Sequence, residues 1–258
     1  MAGAAIDPSS STDSLDLFAD PPDFYPPSPT PTTETHALLS GRTLTLRLVG
    51  HNPLWGHHLW QAGRLISTYI EKHPVLIANK TVLELGAGAG LPSLVSAVLG
   101  AQKVVVTDYP DPDLVSNLWK NISSLDLPGT EEKRTVAEGY CWGADTSTLL
   151  SHLKHDEQGF DVLILADLLF NHSEHAKLVV SIQQTLKKTK EAKALVFFTP
   201  YRPWLYGNDM AFFDLLRKQG MRVEKVLEEK MDKVMFDSDP GDEELRRTVF
   251  GYEVTWII

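Results

Sequence analysis

The stretch TVLELGAGAGLPSLVSAVLG, Thr81 to Gly100, decides the fold. Its first part, Thr81 to Leu85, is an apolar run broken only by Glu84, the pattern of a buried strand. Its second part, Leu91 to Leu99, sets apolar side chains at helical spacing, with Pro92 in a first turn where a missing N–H costs nothing. Between them stand Gly86, Gly88 and Gly90. Glycines at a strand-to-helix junction let the backbone turn sharply and approach a ligand with no Cβ in the way. The helix that follows offers free N–H groups at its start. This is the layout of a nucleotide-type cofactor site, and the stretch alone leaves the cofactor open.

Outward from this stretch, apolar strands alternate with amphipathic helices. Strands are expected at Thr81–Gly86, Lys103–Thr107, Thr135–Tyr140, Phe160–Ala166 and Lys193–Thr199, with helices near Leu114–Ser124, Ser173–Lys188 and Asp209–Lys218. Such alternation implies a mostly parallel sheet covered on both faces. The ending differs: MRVEKVLEEK and RRTVFGYEVTWII are two strands joined by the acidic DSDPGDEE, with no helix expected between them. The fold class is therefore α/β, a Rossmann-like seven-stranded sheet with an antiparallel C-terminal hairpin. Upstream, RTLTLRLVG alternates as a half-buried strand and GHHLWQAGRLISTYIEK reads as a helix.

Residues 1–40 have another character. The run DPPDFYPPSPTPTTET is dense in proline and threonine, and before His36 the chain holds acids but no lysine or arginine. One-sign charge with low hydrophobicity points to a largely disordered segment, leaving residues 41–258 as the folded domain. Its apolar island, Leu15 to Tyr25, either docks as a lid beside the cofactor or serves only solubility.

Composition excludes several classes. A net charge of -10 disfavours direct nucleic-acid binding, which needs a basic surface to displace phosphate counterions. No run is long enough to span a membrane, and the single cysteine, Cys141, permits no internal disulfide. A soluble cytoplasmic protein is expected, so the N-x-S sequons at Asn121 and Asn171 read as accidental. No metal is expected either. His57 and His58 are adjacent, about 100° apart on a helix, and His172 and His175 share a face but lack a completing ligand set. Ser173 is expected to cap the helix after Asn171.

The chemistry-bearing residues sit at strand ends. About twenty residues beyond the glycines, VVVTDY puts Asp108 at a strand tip, where a carboxylate can accept both ribose hydroxyls of a nucleoside. After the third strand comes CWGAD, placing Trp142 and Asp145 where an adenine edge would rest; Trp142 suits a base cover or a core position equally. Asp167, Asn171 and Tyr201, in ADLLFN and TPYRPW, stand at the same end of the sheet. They are the candidates to orient and deprotonate an acceptor, and Asp167 fits a structural role as well.

ELGAGAG followed by Asp108, Trp142 and LILADLLFNH resembles the class I S-adenosylmethionine-dependent methyltransferases, and within them the seven-β-strand branch that methylates protein lysines. More narrowly, LFADPPDFYPPSP, NPLWGHHLWQAG and FNHSEH resemble the fungal protein N-terminal and lysine N-methyltransferases of translation elongation factor 1-alpha, formerly labelled nicotinamide N-methyltransferase-like. The resemblance implies cofactor contacts at Trp60, Gly86, Ala87, Gly88, Asp108, Trp142 and Ala166. It also implies S-adenosyl-L-methionine as cofactor and elongation factor 1-alpha as protein substrate. The alternative is a small-molecule N-methyltransferase of the nicotinamide type, and a third reading is a non-catalytic binding module. One departure stands out: lysine methyltransferases of this branch carry D-x-x-Y after the fourth strand, and here Asp167 to Phe170 lacks the hydroxyl.

Overall fold

Seven strands form one sheet because the chain alternates fully apolar strands with helices that carry one apolar face. The computed structural model describes residues 30–125 and 134–258. A hairpin comes first, β1 (Thr32–Ala37) with β2 (Thr43–Leu48), then α1 (Gln61–Lys72). The strand–helix alternation follows as β3 (Thr81–Leu85), α2 (Leu91–Val98), β4 (Lys103–Asp108), α3 (Pro112–Ser123) and β5 (Thr135–Gly139). It continues through α4 (Ser147–Leu150), β6 (Val162–Ala166), α5 (His175–Thr185), β7 (Lys193–Phe198) and α6 (Tyr206–Lys218). The chain closes with β8 (Met221–Lys230), α7 (Glu243–Arg246) and β9 (Thr248–Trp256).

The strand order is β5-β4-β3-β6-β7-β9-β8. Strands β3 to β7 pair in parallel, whereas β9 lies antiparallel to both neighbours, β7 and β8. The chain winds one way from β3 to β5 and the other way from β6 onward. A crevice therefore opens at the carboxyl ends of β3, β4 and β6, where ligands bind in open α/β sheets.

Alternate residues of the central strands feed two cores. Val82, Val104, Val106 and Ile164 point to the side covered by α1 and α2. Leu83, Val105, Leu163 and Leu165 point to the side of α5 and α6. Each fully buried aliphatic side chain contributes roughly 1.5–3 kcal/mol, so a sheet buried on both faces is a rigid platform for whatever sits at its edge.

Two expectations need correction, and one is refined. Of residues 1–40, the described part holds β1, whose Thr32 to Ala37 pair with Thr43 to Leu48 in antiparallel register, so ordered chain begins ahead of residue 41. The Leu15–Tyr25 island falls outside the described residues. The β8–β9 connection is not helix-free, because Asp242 accepts the Leu245 N–H and starts the short α7. Ser173 does not cap α5. A 3₁₀ turn, His172–Glu174, precedes that helix, Glu174 is its N-cap residue without a side-chain bond, and the Ser173 hydroxyl donates to Asn171 Oδ1 at 2.9 Å.

The hairpin is fastened to α3 by asparagines. Asn121 Oδ1 accepts the Arg47 N–H at 2.8 Å, and its Nδ2 donates to the carbonyls of Arg47 and Ala89, both at 2.9 Å. With Asn121 only 2% exposed, that sequon presents no nitrogen to solvent. Among the described residues no helix is long and apolar enough to cross a membrane.

Candidate cofactor and methyl-transfer site

The β3–α2 turn is built by its glycines. Gly86 and Gly88 hold φ values of +58° and +56°, in the left-handed region that costs a residue with a Cβ. The two are special for different reasons. A Cβ on Gly86 would stand 2.7 Å from Leu168 Cδ2 and 3.1 Å from Trp142, so the site is closed by packing. A Cβ on Gly88 would meet nothing within 4 Å, because it would project into open space. That space is a cleft of ≈ 800 Å³, whose lining includes Trp60, Gly86 to Ala89, Asp108, Trp142 and Ala166. The residues expected at the cofactor, Ala87 included, are thus brought together around one cleft, with the glycine turn as one of its walls.

Asp108 shapes this wall. Its Oδ2 accepts the Gly88 N–H at 2.6 Å, while Oδ1 accepts the Tyr109 N–H at 2.7 Å. Burial raises its carboxyl pKa, and the two backbone donors oppose that rise. Beneath the turn, Glu84 is 1% exposed and accepts both the N–H and the hydroxyl of Ser93 in the first turn of α2. Burial pushes the Glu84 carboxyl up to about 8 despite these bonds. The acid read inside the apolar strand is therefore a helix anchor, satisfying one of the free N–H groups of α2.

The opposite wall is the β6 end. Asp167 takes φ +55°, unusual for a residue with a Cβ, and is 7% exposed. Its Oδ1 accepts the Thr199 N–H at 2.7 Å; its Oδ2 accepts the Ala62 N–H at 2.9 Å and the Tyr201 hydroxyl at 3.3 Å. Burial lifts its pKa to about 7. The Tyr201 phenol is raised well above its ordinary value, by burial first and then by the Asp167 charge, so it stays protonated. Asp167 lines the cleft, and Tyr201 stands behind it with its ring 5.1 Å from that of Trp60.

Trp60 is the N-cap residue of α1, just ahead of the helix, and its indole N–H donates to the Trp55 carbonyl at 3.2 Å. Its ring packs against His58 and against Phe236 from the β8–β9 connection, at 5.4 and 5.9 Å. Asn171 also lines the cleft, beside the half-exposed Phe170. That segment is pinned from two sides. Arg202 donates to the Phe170 carbonyl, and His172 Nε2 meets Asp209 Oδ1 at 2.6 Å. The FNHSEH motif thus gives His172 a positioning partner. Among the described residues no group of three or more His, Cys, Asp or Glu could hold a metal ion.

Asp145 is not at the site. It is exposed, does not line the cleft and accepts the Ser147 N–H at 3.3 Å. Only the first two residues of CWGAD, Cys141 and Trp142, line the cleft. Sequence reasoning also missed Trp55, Tyr109, Tyr140 and Arg202. Tyr109 and Arg202 adjoin residues that were singled out, and adjacency was their only signal.

An α/β sheet of this order, with a glycine turn at the switch point and a carboxylate on the next strand tip, is the architecture of a Rossmann-like methyltransferase. The structure of Pyrococcus horikoshii TYW2 in complex with MeSAdo superposes with a TM-score of 0.53 at 19% identity, covering 90% of this chain and 74% of that one. Residues 40–219 match the model of the lysine methyltransferase family, and the chain belongs to that family. It is an S-adenosylmethionine-dependent methyltransferase. A Neurospora crassa protein named protein N-terminal and lysine N-methyltransferase efm7 is 58% identical over 93% of this chain and 87% of its own. The Schizosaccharomyces pombe protein of the same name is 43% identical over 93% and 94%.

Proposed function

We propose that this protein methylates the N-terminal α-amine and the adjacent lysine of translation elongation factor 1-alpha, in the cytoplasm. The observation that carries the reading is the 58% identity with a relative named for both kinds of amine. The cleft supports it with a donor set suited to the cofactor. Asp108 stands ready for ribose hydroxyls, Gly88 leaves room for close approach, and Trp60, Gly86, Ala87, Trp142 and Ala166 complete the lining.

When bound, S-adenosylmethionine supplies an electrophilic methyl group on a sulfonium. The protein's part is to hold a neutral amine in line with it and to exclude competing water. An α-amine with a pKa of about 7.7–8.0 is roughly one-tenth neutral at pH 7, whereas a lysine near 10.4 is neutral only about 0.04% of the time. The lysine therefore needs more help to shed its proton.

Asn171 is assigned the orienting contact, because it reaches the cleft beside the half-exposed Phe170. Asp167 and Tyr201 hold the wall: three donors already occupy the Asp167 carboxylate, and the Tyr201 hydroxyl is one of them. Phe170 lines the cleft where the branch carries a phenol, so it gives the acceptor an apolar neighbour without a hydroxyl.

The deciding experiment presents purified protein and S-adenosylmethionine with the elongation factor 1-alpha N-terminal peptide, the same peptide N-acetylated, and nicotinamide. Mass spectrometry is expected to find methyl groups on the α-amine and lysine of the free peptide, and on lysine alone after acetylation. Methylated nicotinamide with untouched peptides would replace this reading by the small-molecule one.

A further inference from the structure

A second groove of ≈ 690 Å³ adjoins the cleft, and the two share His58 and Leu59 in their walls. One side is the hairpin, through Thr32 and Glu34; the other is the β8–β9 connection, Met231 to Met235. Methyl transfer to a small molecule makes no use of such an annex. We infer that this groove receives the extended, basic polypeptide segment that follows the methylated amine, an inference that rests on the protein-amine reading above.

Three observations converge on that occupant. First, Gln61 lines the groove, is 9% exposed, and its Oε1 is buried without a hydrogen-bond partner. An unpaired buried acceptor costs about 1–3 kcal/mol, and a backbone N–H from an extended peptide is the donor that would satisfy it. Second, the groove is continuous with the site through one loop. Gln61 Nε2 donates to the Lys233 carbonyl at 2.6 Å, and three residues on Phe236 packs its ring against Trp60 and His58. Chain lying against this loop touches the support of the aromatic cluster beside the methyl-transfer end.

Third, the charge around the groove favours a cationic chain. Within it, Glu34 pairs with Arg64 at 3.0 Å and Asp232 adjoins Lys233, so the groove itself is balanced. The same loop then runs into Asp237, Asp239, Asp242 and Glu243 with no intervening base, while Glu244 beyond them is already paired with Lys230 and Arg247. All but Asp239 are exposed. A basic segment leaving the groove meets this acidic run, which steers encounter and fixes direction more than it adds affinity.

The test compares truncations of the elongation factor 1-alpha N-terminus of about three and about twelve residues, at roughly 3.3 Å per extended residue. The longer peptide is expected to show a kcat/KM at least about tenfold higher, mostly through KM, equivalent to about 1.4 kcal/mol. Thr32→Trp, which fills the groove from an exposed strand position, and Asp232→Lys, which reverses a wall charge, are expected to erase that advantage. Activity on the short peptide and cofactor affinity by calorimetry should stay unchanged in both. Equal efficiency for the two lengths, or an undiminished length effect in both variants, overturns the groove and leaves the protein-amine reading standing. Failure of the wild-type protein to methylate either peptide, with cofactor binding intact, overturns both.

Discussion

The Asp167 carboxylate accepts the Ala62 N–H at 2.9 Å across 105 residues of chain, joining the end of β6 to the first turn of α1. Through its other oxygen it holds the Thr199 N–H after β7. One side chain thus sets the spacing between Trp60 and the β6–β7 edge of the cleft. Asp167→Asn tolerates the left-handed backbone but replaces one acceptor by a donor, leaving a backbone N–H unpaired. A loss of about 1–3 kcal/mol in unfolding free energy is expected by urea titration. Asp167→Ala should lose more, because it strains φ as well. If Asp167→Asn matches wild type in stability while kcat collapses, Asp167 acts in the chemistry instead of holding the wall.

Asp108 is proposed to combine two duties. It fixes the Gly88 N–H, and it lines the cleft in which ribose hydroxyls would bind under the proposed reading. Asp108→Ala should weaken S-adenosylmethionine binding by about 10- to 100-fold, in line with hydrogen bonds to a charged group worth roughly 1.5–3 kcal/mol. Calorimetry reads this directly, and far-ultraviolet circular dichroism should report an unchanged fold. Equal affinity in the variant would remove Asp108 from the cofactor site.

The two glycines of the turn separate stability from binding. Gly86→Ala adds a Cβ 2.7 Å from Leu168 and should lower the melting temperature markedly. Gly88→Ala meets no protein atom, so its stability cost is confined to the strained φ, roughly 1–2 kcal/mol. Its larger effect should be on cofactor affinity, since the new methyl occupies the cleft. A Gly88→Ala protein that binds as tightly as wild type would show that the cofactor does not approach this backbone.

Glu84 sets a pH dependence with a definite sign. Its carboxyl ordinarily titrates near 4.5 and is raised to about 8 in the fold, so between these values the folded state binds the extra proton. Stability from this group is full below pH 4.5 and is lost as pH rises through about 8. Glu84→Gln keeps an acceptor for Ser93 without the charge. Its stability relative to wild type should therefore grow between pH 5 and pH 8.5, in chemical denaturation at fixed ionic strength. A difference that stays flat over this range would mean that Glu84 is ionised throughout.

What the sequence revealed is local, and what it hid is long-range. The glycine turn, Asp108 and the buried strands declare themselves within a few residues, because turn chemistry and periodicity are short-range physics. Gln61 with Lys233, or Trp60 with Phe236, meet only after the sheet is assembled, so no spacing announces them. Asp145 shows the opposite error. It lies three residues from Trp142, but the chain turns away at Gly143, whose φ is +78°, and carries it to the surface. The β1 strand was hidden by its neighbours. Averaged with the prolines before it, TTETHA looks unstructured, yet its β-branched residues pair with β2 and its Thr35 carbonyl is held by Arg64 at 3.0 Å.

The last prediction concerns the two amines. The α-amine is about half neutral at pH 8 and roughly nine-tenths neutral by pH 9, whereas a lysine near 10.4 continues to gain free base well above that. Methylation of the α-amine should therefore level off near pH 9 while lysine methylation keeps rising to about pH 10 and beyond. If Asn171 orients the acceptor, Asn171→Ala should lower kcat/KM more for lysine than for the α-amine, because the flexible lysine side chain has more freedom to lose. A ratio of about tenfold between the two losses is expected, with cofactor affinity unchanged. Tyr201→Phe keeps the ring against Trp60 and removes only the hydroxyl on Asp167, so it should cost less than Asn171→Ala on both amines. Site-resolved mass spectrometry of one peptide carrying both amines measures all of this in a single series. Equal losses at the two sites in Asn171→Ala would assign Asn171 to holding the cleft wall, with no part in choosing the amine.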